Sequence, residues 1–172
     1  EAHPLWLQNV YTTTKILGEQ LCRLYYDNHG LSFTTLRLFN AYGPGQGLGY
    51  FIPDMIEKAK KGPIGLKDWN TTKDWVYVED VARAFCTAVE TPYVGPINIG
   101  TGIETSLLSI VRTIIPGTDS VAQHLLGSPM KSTRMCADRR RAKQVLDWEP
   151  TVTIEEGLVA TIRAAKEAAV PA

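Results

Sequence analysis

Segments with helical periodicity alternate with short strand-like runs along this chain, and that alternation constrains its fold more than any other feature. A helix is predicted over 11–28, where apolar residues recur at three- and four-residue spacing, and Gly30 follows as a left-handed cap. A run rich in β-forming residues covers 31–39. Further helices are predicted over 52–61, 81–90, 106–115, 139–146 and 154–169, and further strands over 64–66, 74–78 and 96–99. Such alternation predicts one compact α/β unit.

Local residue types suggest how some of these elements are held. Asp80, Ser106 and Asp138 stand at the start of predicted helices and are expected to act as N-caps. The tryptophans are expected to pack in or at the edge of the core; they are Trp6, Trp69, Trp75 and Trp148.

Composition excludes several classes of function. The 18 basic and 18 acidic side chains leave no net charge to attract nucleic acids or membranes, and no apolar run approaches the ~20 residues that cross a bilayer. Cys22, Cys86 and Cys136 are far apart and form no metal-ligand spacing. We therefore expect no metal site, no nucleic-acid or membrane partner, and buried free thiols in a reducing cytoplasm.

A tyrosine and a lysine one helical turn apart open the first predicted helix. Tyr11 and Lys15 share one helix face. A free phenol has a pKa of about 10, and a neighbouring positive charge favours the phenolate, which can then act as a base. The pair alone is a weak signal, since an exposed amphipathic helix can carry the same two residues.

Five further segments give the pair its context. They are LRLFNAYGPG at 36–45, KDWVYVEDVA at 73–82, NIGTG at 98–102, AD at 137–138 and LDWEP at 146–150. In order and spacing, these segments and the Tyr-x-x-x-Lys helix resemble the extended short-chain dehydrogenase/reductases, specifically the NAD-dependent nucleotide-sugar epimerases and 4,6-dehydratases. The resemblance runs through the whole chain and matches only the C-terminal part of that family.

The resemblance implies the C-terminal half of a doubly wound Rossmann-type domain together with a smaller substrate-binding subdomain. Residues 1–45 would be the Rossmann part, and 46–172 the substrate-binding subdomain interleaved with late Rossmann elements. The N-terminal dinucleotide-binding βαβ units, with the Gly-rich turn and the catalytic Ser or Thr, have no counterpart in these 172 residues. Gly100 and Gly102 do not replace that turn, because a third glycine is missing.

The resemblance also assigns roles to single residues. Tyr11 would be the catalytic acid/base, and Lys15 would assist it and bind the cofactor ribose. Phe39 matches a position at the nicotinamide end of the cofactor, and Asn40 matches the asparagine that binds the nucleotide diphosphate. A core position for Phe39 and a turn cap for Asn40 are compatible alternatives. For Arg37, an internal salt bridge is at least as well supported as a ligand contact.

Two positions depart from the family pattern. Lys73 stands where the family has a phosphate-binding arginine, so the charge is kept and the bidentate fork is lost. A plain surface lysine is an equally supported alternative. Ser128 stands where a second such arginine is expected. Arg134, or one of Arg139, Arg140 and Arg141, would then compensate, with a solvated helix face as the alternative for the last three.

Together these observations predict the C-terminal part of an NAD(P)-dependent nucleotide-sugar epimerase or 4,6-dehydratase, inactive as the isolated chain. The alternatives are a stand-alone non-catalytic relic or binding module, and one half of a split enzyme. We expect NAD or NADP in the complete protein and no cofactor bound by this chain alone. The expected partners are a nucleotide-diphosphate sugar, a second copy through the 11–28 helix, and a missing N-terminal half.

Overall fold

The computed structural model describes residues 9–62, 64–66, 70–115 and 133–168, and in them helices and strands alternate as predicted. The helices are α1 (Val10–His29), α2 (Phe51–Lys61), α3 (Val78–Glu90), α4 (Leu107–Ile114), α5 (Arg140–Leu146) and α6 (Ile154–Glu167). The strands are β1 (Thr34–Leu38), β2 (Asn40–Tyr42), β3 (Thr72–Tyr77), β4 (Gly95–Ile99) and β5 (Glu104–Ser106). The α/β prediction is confirmed.

The joint between β1 and β2 connects two small sheets. β1 and β4 pair in parallel, β2 and β3 pair in parallel, and β3 and β5 pair antiparallel. Only Phe39 separates β1 from β2, and its backbone N–H donates to the Ile99 carbonyl oxygen at 2.9 Å. The chain therefore leaves the first sheet beside the end of β4, and Asn40 is the first residue of the second sheet.

Strand β3 packs into two apolar cores, because successive strand residues point to opposite faces. Trp75 and Tyr77 belong to a core formed with residues of α2, α4 and α6. Val76 belongs to a core formed with residues of β4, α3 and α5. Both faces of β3 are thus fixed by packing, and this holds the residues along its edge in place.

Helix α1 has well-formed ends and little tertiary contact. Asn9 accepts a hydrogen bond from the Thr12 N–H at 2.9 Å in a capping box, and Gly30 ends the helix at a φ of +68°. The helix has no buried residue. A salt bridge from Glu19 to Arg37 of β1 and an edge contact between Tyr26 and Phe33 attach it to the rest of the chain.

Two of the three predicted caps are wrong. Helix α3 begins at Val78 with Tyr77 at the N-cap position, so Asp80 lies inside the first turn. The residue before α5 is Arg139, although the Asp138 carboxylate does accept the Arg140 N–H at 3.1 Å. Ser106 caps α4 as predicted and accepts a hydrogen bond from the Ser109 N–H.

Other local predictions also fail. Residues 64–66 form no strand, although Ile64 and Leu66 are buried. All three cysteines are free and exposed, not buried as expected. Trp75 and Trp148 are buried as expected, whereas Trp6, Trp69, Ser128 and the predicted end of the last helix at 169 lie outside the described residues.

Candidate functional site

The capped start of α1 places Tyr11 and Lys15 together. The Lys15 Nζ atom lies 5.5 Å from the centroid of the Tyr11 ring, so the ammonium group sits over the aromatic face. Tyr11 is 69% exposed, and Lys15 is exposed as well. The structure thus brings the two predicted catalytic residues into contact on a surface open to solvent.

The joint between the sheets carries Phe39 and Asn40. Phe39 is partly buried and tied to β4 through its backbone. The Asn40 Nδ2 group donates to the backbone oxygen of Asp74 at 2.9 Å and contacts the Met135 Sδ atom at 3.8 Å. The amide of Asn40 is therefore oriented by the strand beside it, and among the described residues its second partner is a weak sulfur acceptor.

Lys73 and Arg134 flank the same stretch of β3 but differ in their partners. Lys73 is partly exposed, and within the described parts of the chain no hydrogen bond or ion pair involves its ammonium group. Arg134 bridges to the backbone of Thr72, and its guanidinium contacts both Glu104 carboxylate oxygens at 2.9 and 2.8 Å. The hydrogen bond from Arg134 is the main reason why the pKa of Glu104 is lowered. Of these two predicted substrate contacts, Arg134 is the one that has an ion-pair partner among the described residues.

The other four arginines considered as ligand contacts or compensating cations each bind a group of the protein itself. Arg37 contacts Glu19 through two nitrogen atoms, which confirms the salt-bridge alternative. Arg139 pairs with Glu149 and Arg140 with Asp138, while Arg141 donates to the Pro96 carbonyl oxygen at 3.1 Å.

Asp74 contacts the candidate site residue Asn40 and was not predicted from the sequence. It is fully buried, and its carboxylate accepts hydrogen bonds from Thr101, Gly102 and Ala137. The signal that could have revealed it is an aspartate inside a predicted strand, followed by a Gly-x-Gly turn whose N–H groups need an acceptor. Those N–H groups are occupied by Asp74, so this turn is not a cradle for a pyrophosphate.

The residues that the structure describes include no cluster of three or more His, Cys, Asp or Glu side chains that could bind a metal ion. None of their helices combines the length and the apolar character that crossing a bilayer requires.

Comparisons of sequence and structure with known proteins lead to the same family as the motifs. The sequence profile of the NAD dependent epimerase/dehydratase family matches residues 1–100, which is more than half of the chain. The chain belongs to that family. The match contains Tyr11, Lys15, Phe39, Asn40 and Lys73, while Arg134 lies beyond it.

Individual members of the NAD dependent epimerase/dehydratase family align along nearly the whole chain. A putative UDP-glucose 4-epimerase from Methanocaldococcus jannaschii is 30% identical, over 92% of this chain and 53% of its own length. UDP-glucuronic acid decarboxylase 6 from Arabidopsis thaliana is 28% identical, over 91% of this chain and 47% of its own length. The chain spans about half the length of the curated relatives it matches.

A solved structure supports the same family membership. The crystal structure of UDP-glucuronic acid 4-epimerase from Bacillus cereus in complex with NAD has a TM-score of 0.84 to this chain at 28% identity. The alignment covers 98% of this chain and 56% of that one. The chain therefore shares the Rossmann-type architecture of these enzymes over about half of their length.

Proposed function

We propose that this chain forms the C-terminal, nucleotide-sugar-binding side of an NAD(P)-dependent epimerase or 4,6-dehydratase. The observation that carries the proposal is the contact between Lys15 and the Tyr11 ring on a capped, exposed helix within the family match. The first 45 residues would belong to the cofactor domain, and 46–172 to the substrate subdomain interleaved with late elements of the cofactor domain. A cytoplasmic location, with the cysteines kept as free thiols, belongs to the same proposal.

Tyr11 would act as the acid/base. Its phenolate takes the proton of a sugar hydroxyl, and the positive charge of Lys15 favours that phenolate. When bound, NAD or NADP supplies the hydride acceptor for this chemistry. Tyr11 is exposed, which leaves room for a sugar to approach it from solvent.

The residues present fit one end of the cofactor better than the other. Lys15 can donate to the ribose, and Phe39 offers an apolar contact near the nicotinamide. The Gly100–Gly102 turn has its N–H groups bonded to Asp74, so it offers no cradle for the pyrophosphate. We therefore propose that the 172-residue polypeptide alone holds no dinucleotide and performs no turnover.

The substrate diphosphate would bind at the joint between the sheets. Asn40 can give its second amide hydrogen to a phosphate oxygen, and Lys73 adds a positive charge on the adjacent strand. Arg134 contributes only if it exchanges Glu104 for the ligand. UDP-sugars appear in the names of the relatives, and a UDP-sugar is the substrate class we propose here.

The surface of α1 and β1 favours a second candidate function. In it, another polypeptide supplies the part of the enzyme that covers these two elements. Among the residues that the structure describes, β1 pairs on one edge with β4 and has no strand on its other edge, and α1 has no buried residue. An N-terminal half in the same or a separate polypeptide would pair with that edge, and a second copy would cover α1. A split enzyme or a binding module that kept the substrate subdomain fits the same surface.

Titration with UDP-glucose tests the proposed substrate site. Asn40→Ala and Lys73→Ala should each weaken binding about tenfold, the loss of one hydrogen bond or ion pair to a charged group. Lys58→Ala, an exposed lysine on α2, is the control and should bind like the wild-type chain. Equal affinity of all four proteins would reject the site, and no binding by the wild-type chain would reject the function.

A further inference from the structure

Asp74 is a buried carboxylate in the middle of β3 that faces four hydrogen-bond donors. Its Oδ1 atom accepts the Thr101 N–H and the Thr101 hydroxyl, both at 2.7 Å. Its Oδ2 atom accepts the N–H groups of Gly102 at 2.8 Å and Ala137 at 3.0 Å. Three backbone N–H groups and one hydroxyl therefore compensate for the burial of the charge.

The backbone around this carboxylate is shaped for close approach. A Cβ atom at Gly100 would lie 2.9 Å from Asp74 Oδ2 and 2.6 Å from the Ala137 Cβ atom. Gly102 has a φ of +73°, in the left-handed region that favours glycine. The glycines thus allow Gly100-Thr101-Gly102 to wrap around a carboxylate of the same chain.

Asp74 is connected to both hydrogen-bond partners of the Asn40 amide. Its own backbone oxygen accepts the Asn40 Nδ2 hydrogen. Its side chain holds the Ala137 N–H, two residues from Met135, whose Sδ atom faces the other amide hydrogen. The Met135 N–H in turn donates to the Thr72 oxygen at 3.2 Å, which fixes that segment along β3. Both contacts of the Asn40 amide therefore lead to residues connected with the Asp74 network.

We propose that Asp74 is a positioning residue, which fixes the Asn40 amide for a nucleotide diphosphate without touching the ligand itself. The inference rests on the proposed function. Sulfur is a weak acceptor, so a phosphate oxygen can replace Met135 as the partner of Asn40. The bond to the Asp74 backbone oxygen meanwhile keeps the amide plane in place, and the ligand gains a donor that is already oriented.

Asp80 provides a matched control. It is 1% exposed, and its carboxylate, like that of Asp74, accepts hydrogen bonds from backbone N–H groups and a threonine hydroxyl. For Asp80 these are the N–H groups of Thr151 and Val152 and the hydroxyl of Thr151. Arg83 also contacts it. None of these partners is a candidate site residue. Asp74→Asn and Asp80→Asn each replace an acceptor oxygen by an NH2 group that faces other donors, so both should reduce stability.

The experiment compares the two variants in calorimetric titration with UDP and in NMR spectra of the Asn40 side-chain amide without ligand, at a temperature where both are folded. Asp80→Asn should bind UDP like the wild-type chain and keep the Asn40 resonances. Asp74→Asn should bind UDP about tenfold more weakly and shift those resonances. A general loss of stability would affect both variants alike.

Three results decide the matter. If the wild-type chain binds UDP and the two variants bind it equally well, the positioning role of Asp74 is wrong. Unchanged Asn40 resonances in Asp74→Asn reject it as well. If the wild-type chain binds no UDP, the proposed function fails, and the diphosphate role of Asn40 fails with it.

A milder pair of substitutions covers the case in which Asp74→Asn does not fold. Thr101→Val removes one of the four donors to Asp74, and Thr151→Val removes the equivalent hydroxyl from Asp80. Only Thr101→Val should weaken UDP binding and shift the Asn40 resonances. Equal UDP affinity in this pair contradicts the proposal.

Discussion

At the scale of single residues, the two ends of the proposed site are held in different ways. Tyr11 and Lys15 contact each other on an exposed helix face, whereas Asn40 is oriented by the Asp74 backbone. A hydroxyl that transfers a proton acts only in the chemical step. An amide that contacts a diphosphate acts in the ground state and the transition state alike, so substitutions at the two positions should differ in kind.

In an active protein that contains these residues, Tyr11→Phe should lower kcat by about 10²- to 10⁴-fold and leave nucleotide-sugar binding nearly intact. The hydroxyl carries the proton, while the ring only packs. Lys15→Met should lower kcat and also weaken binding of the cofactor, because Lys15 has both roles. Steady-state kinetics together with equilibrium titration measures each effect.

Asn40→Ala should instead raise KM with little change in kcat, since it removes a uniform binding contact. The same assays provide the comparison. Near-normal turnover in Tyr11→Phe combined with an inactive Asn40→Ala would reverse the roles assigned here.

A site residue can be proposed from the sequence when a short motif marks it, but not when its importance rests on contacts formed only in the folded chain. Tyr11, Lys15 and Asn40 lie in short motifs, and the structure brings Tyr11 and Lys15 into contact. The four donors to Asp74 come from 101–102 and 137, so its importance emerges only in the folded chain. The pairing of Arg134 with Glu104 has the same origin, because β5 brings Glu104 to the edge of β3.

At the scale of elements, helices with a clear apolar period were predicted to within a few residues. α1, α2 and α6 are examples. The start of α3 was misplaced because Asp80 looks like a local cap, whereas its carboxylate accepts bonds from Thr151 and Val152, 71 and 72 residues away. The three-residue β5 has no signal of its own, since it exists by pairing with β3.

Helix α6 packs closely against the core that it forms with α2 and α4, and this leaves no space for a methyl group at Gly157. An added Cβ atom would lie 2.8 Å from Tyr42 Cζ and 2.9 Å from Tyr77 Cδ2. Gly157→Ala should therefore lower the free energy of unfolding by about 1–3 kcal/mol, despite the higher helix propensity of alanine. Gly18→Ala on α1 is the control, because nothing lies within 4 Å of its added Cβ, and it should raise stability by up to about 1 kcal/mol. Chemical denaturation measures both, and an equal gain from the two would contradict this packing.

Asp80 should make part of the stability depend on pH. Burial raises its pKa, but the hydrogen bonds from Thr151, Val152 and Arg83 lower it by more, so the pKa lies below the ordinary 3.8. With a folded-state pKa below the unfolded one, its contribution is complete above about pH 4 and is lost as the pH falls through the folded-state value. The difference in unfolding free energy between wild type and Asp80→Asn should shrink over that range. A difference that stays constant from neutral to acid pH would show that Asp80 contributes no such linkage.

At the scale of the whole molecule, the surface of α1 is too apolar to be left uncovered. Val10, Leu17, Leu21, Leu24 and Tyr25 are each more than half exposed. Exposed apolar patches of this kind mark contacts with other chains. We predict that the chain self-associates through α1 in a symmetric pairing.

Sedimentation velocity tests this pairing. Leu21→Glu should shift the chain toward the monomer, because a charge would be buried in the contact. Val89→Glu, at a valine that is 87% exposed on α3, is the control and should sediment like wild type. A strictly monomeric wild-type chain at high concentration would contradict the prediction.

These 172 residues are proposed to carry the nucleotide-sugar side of the enzyme and only the nicotinamide-ribose end of the dinucleotide side. Parallel calorimetric titrations of the purified chain with UDP-glucose and with NAD test this division. We expect saturable binding of UDP-glucose and no micromolar binding of NAD. Micromolar binding of NAD, or no binding of UDP-glucose, would contradict it.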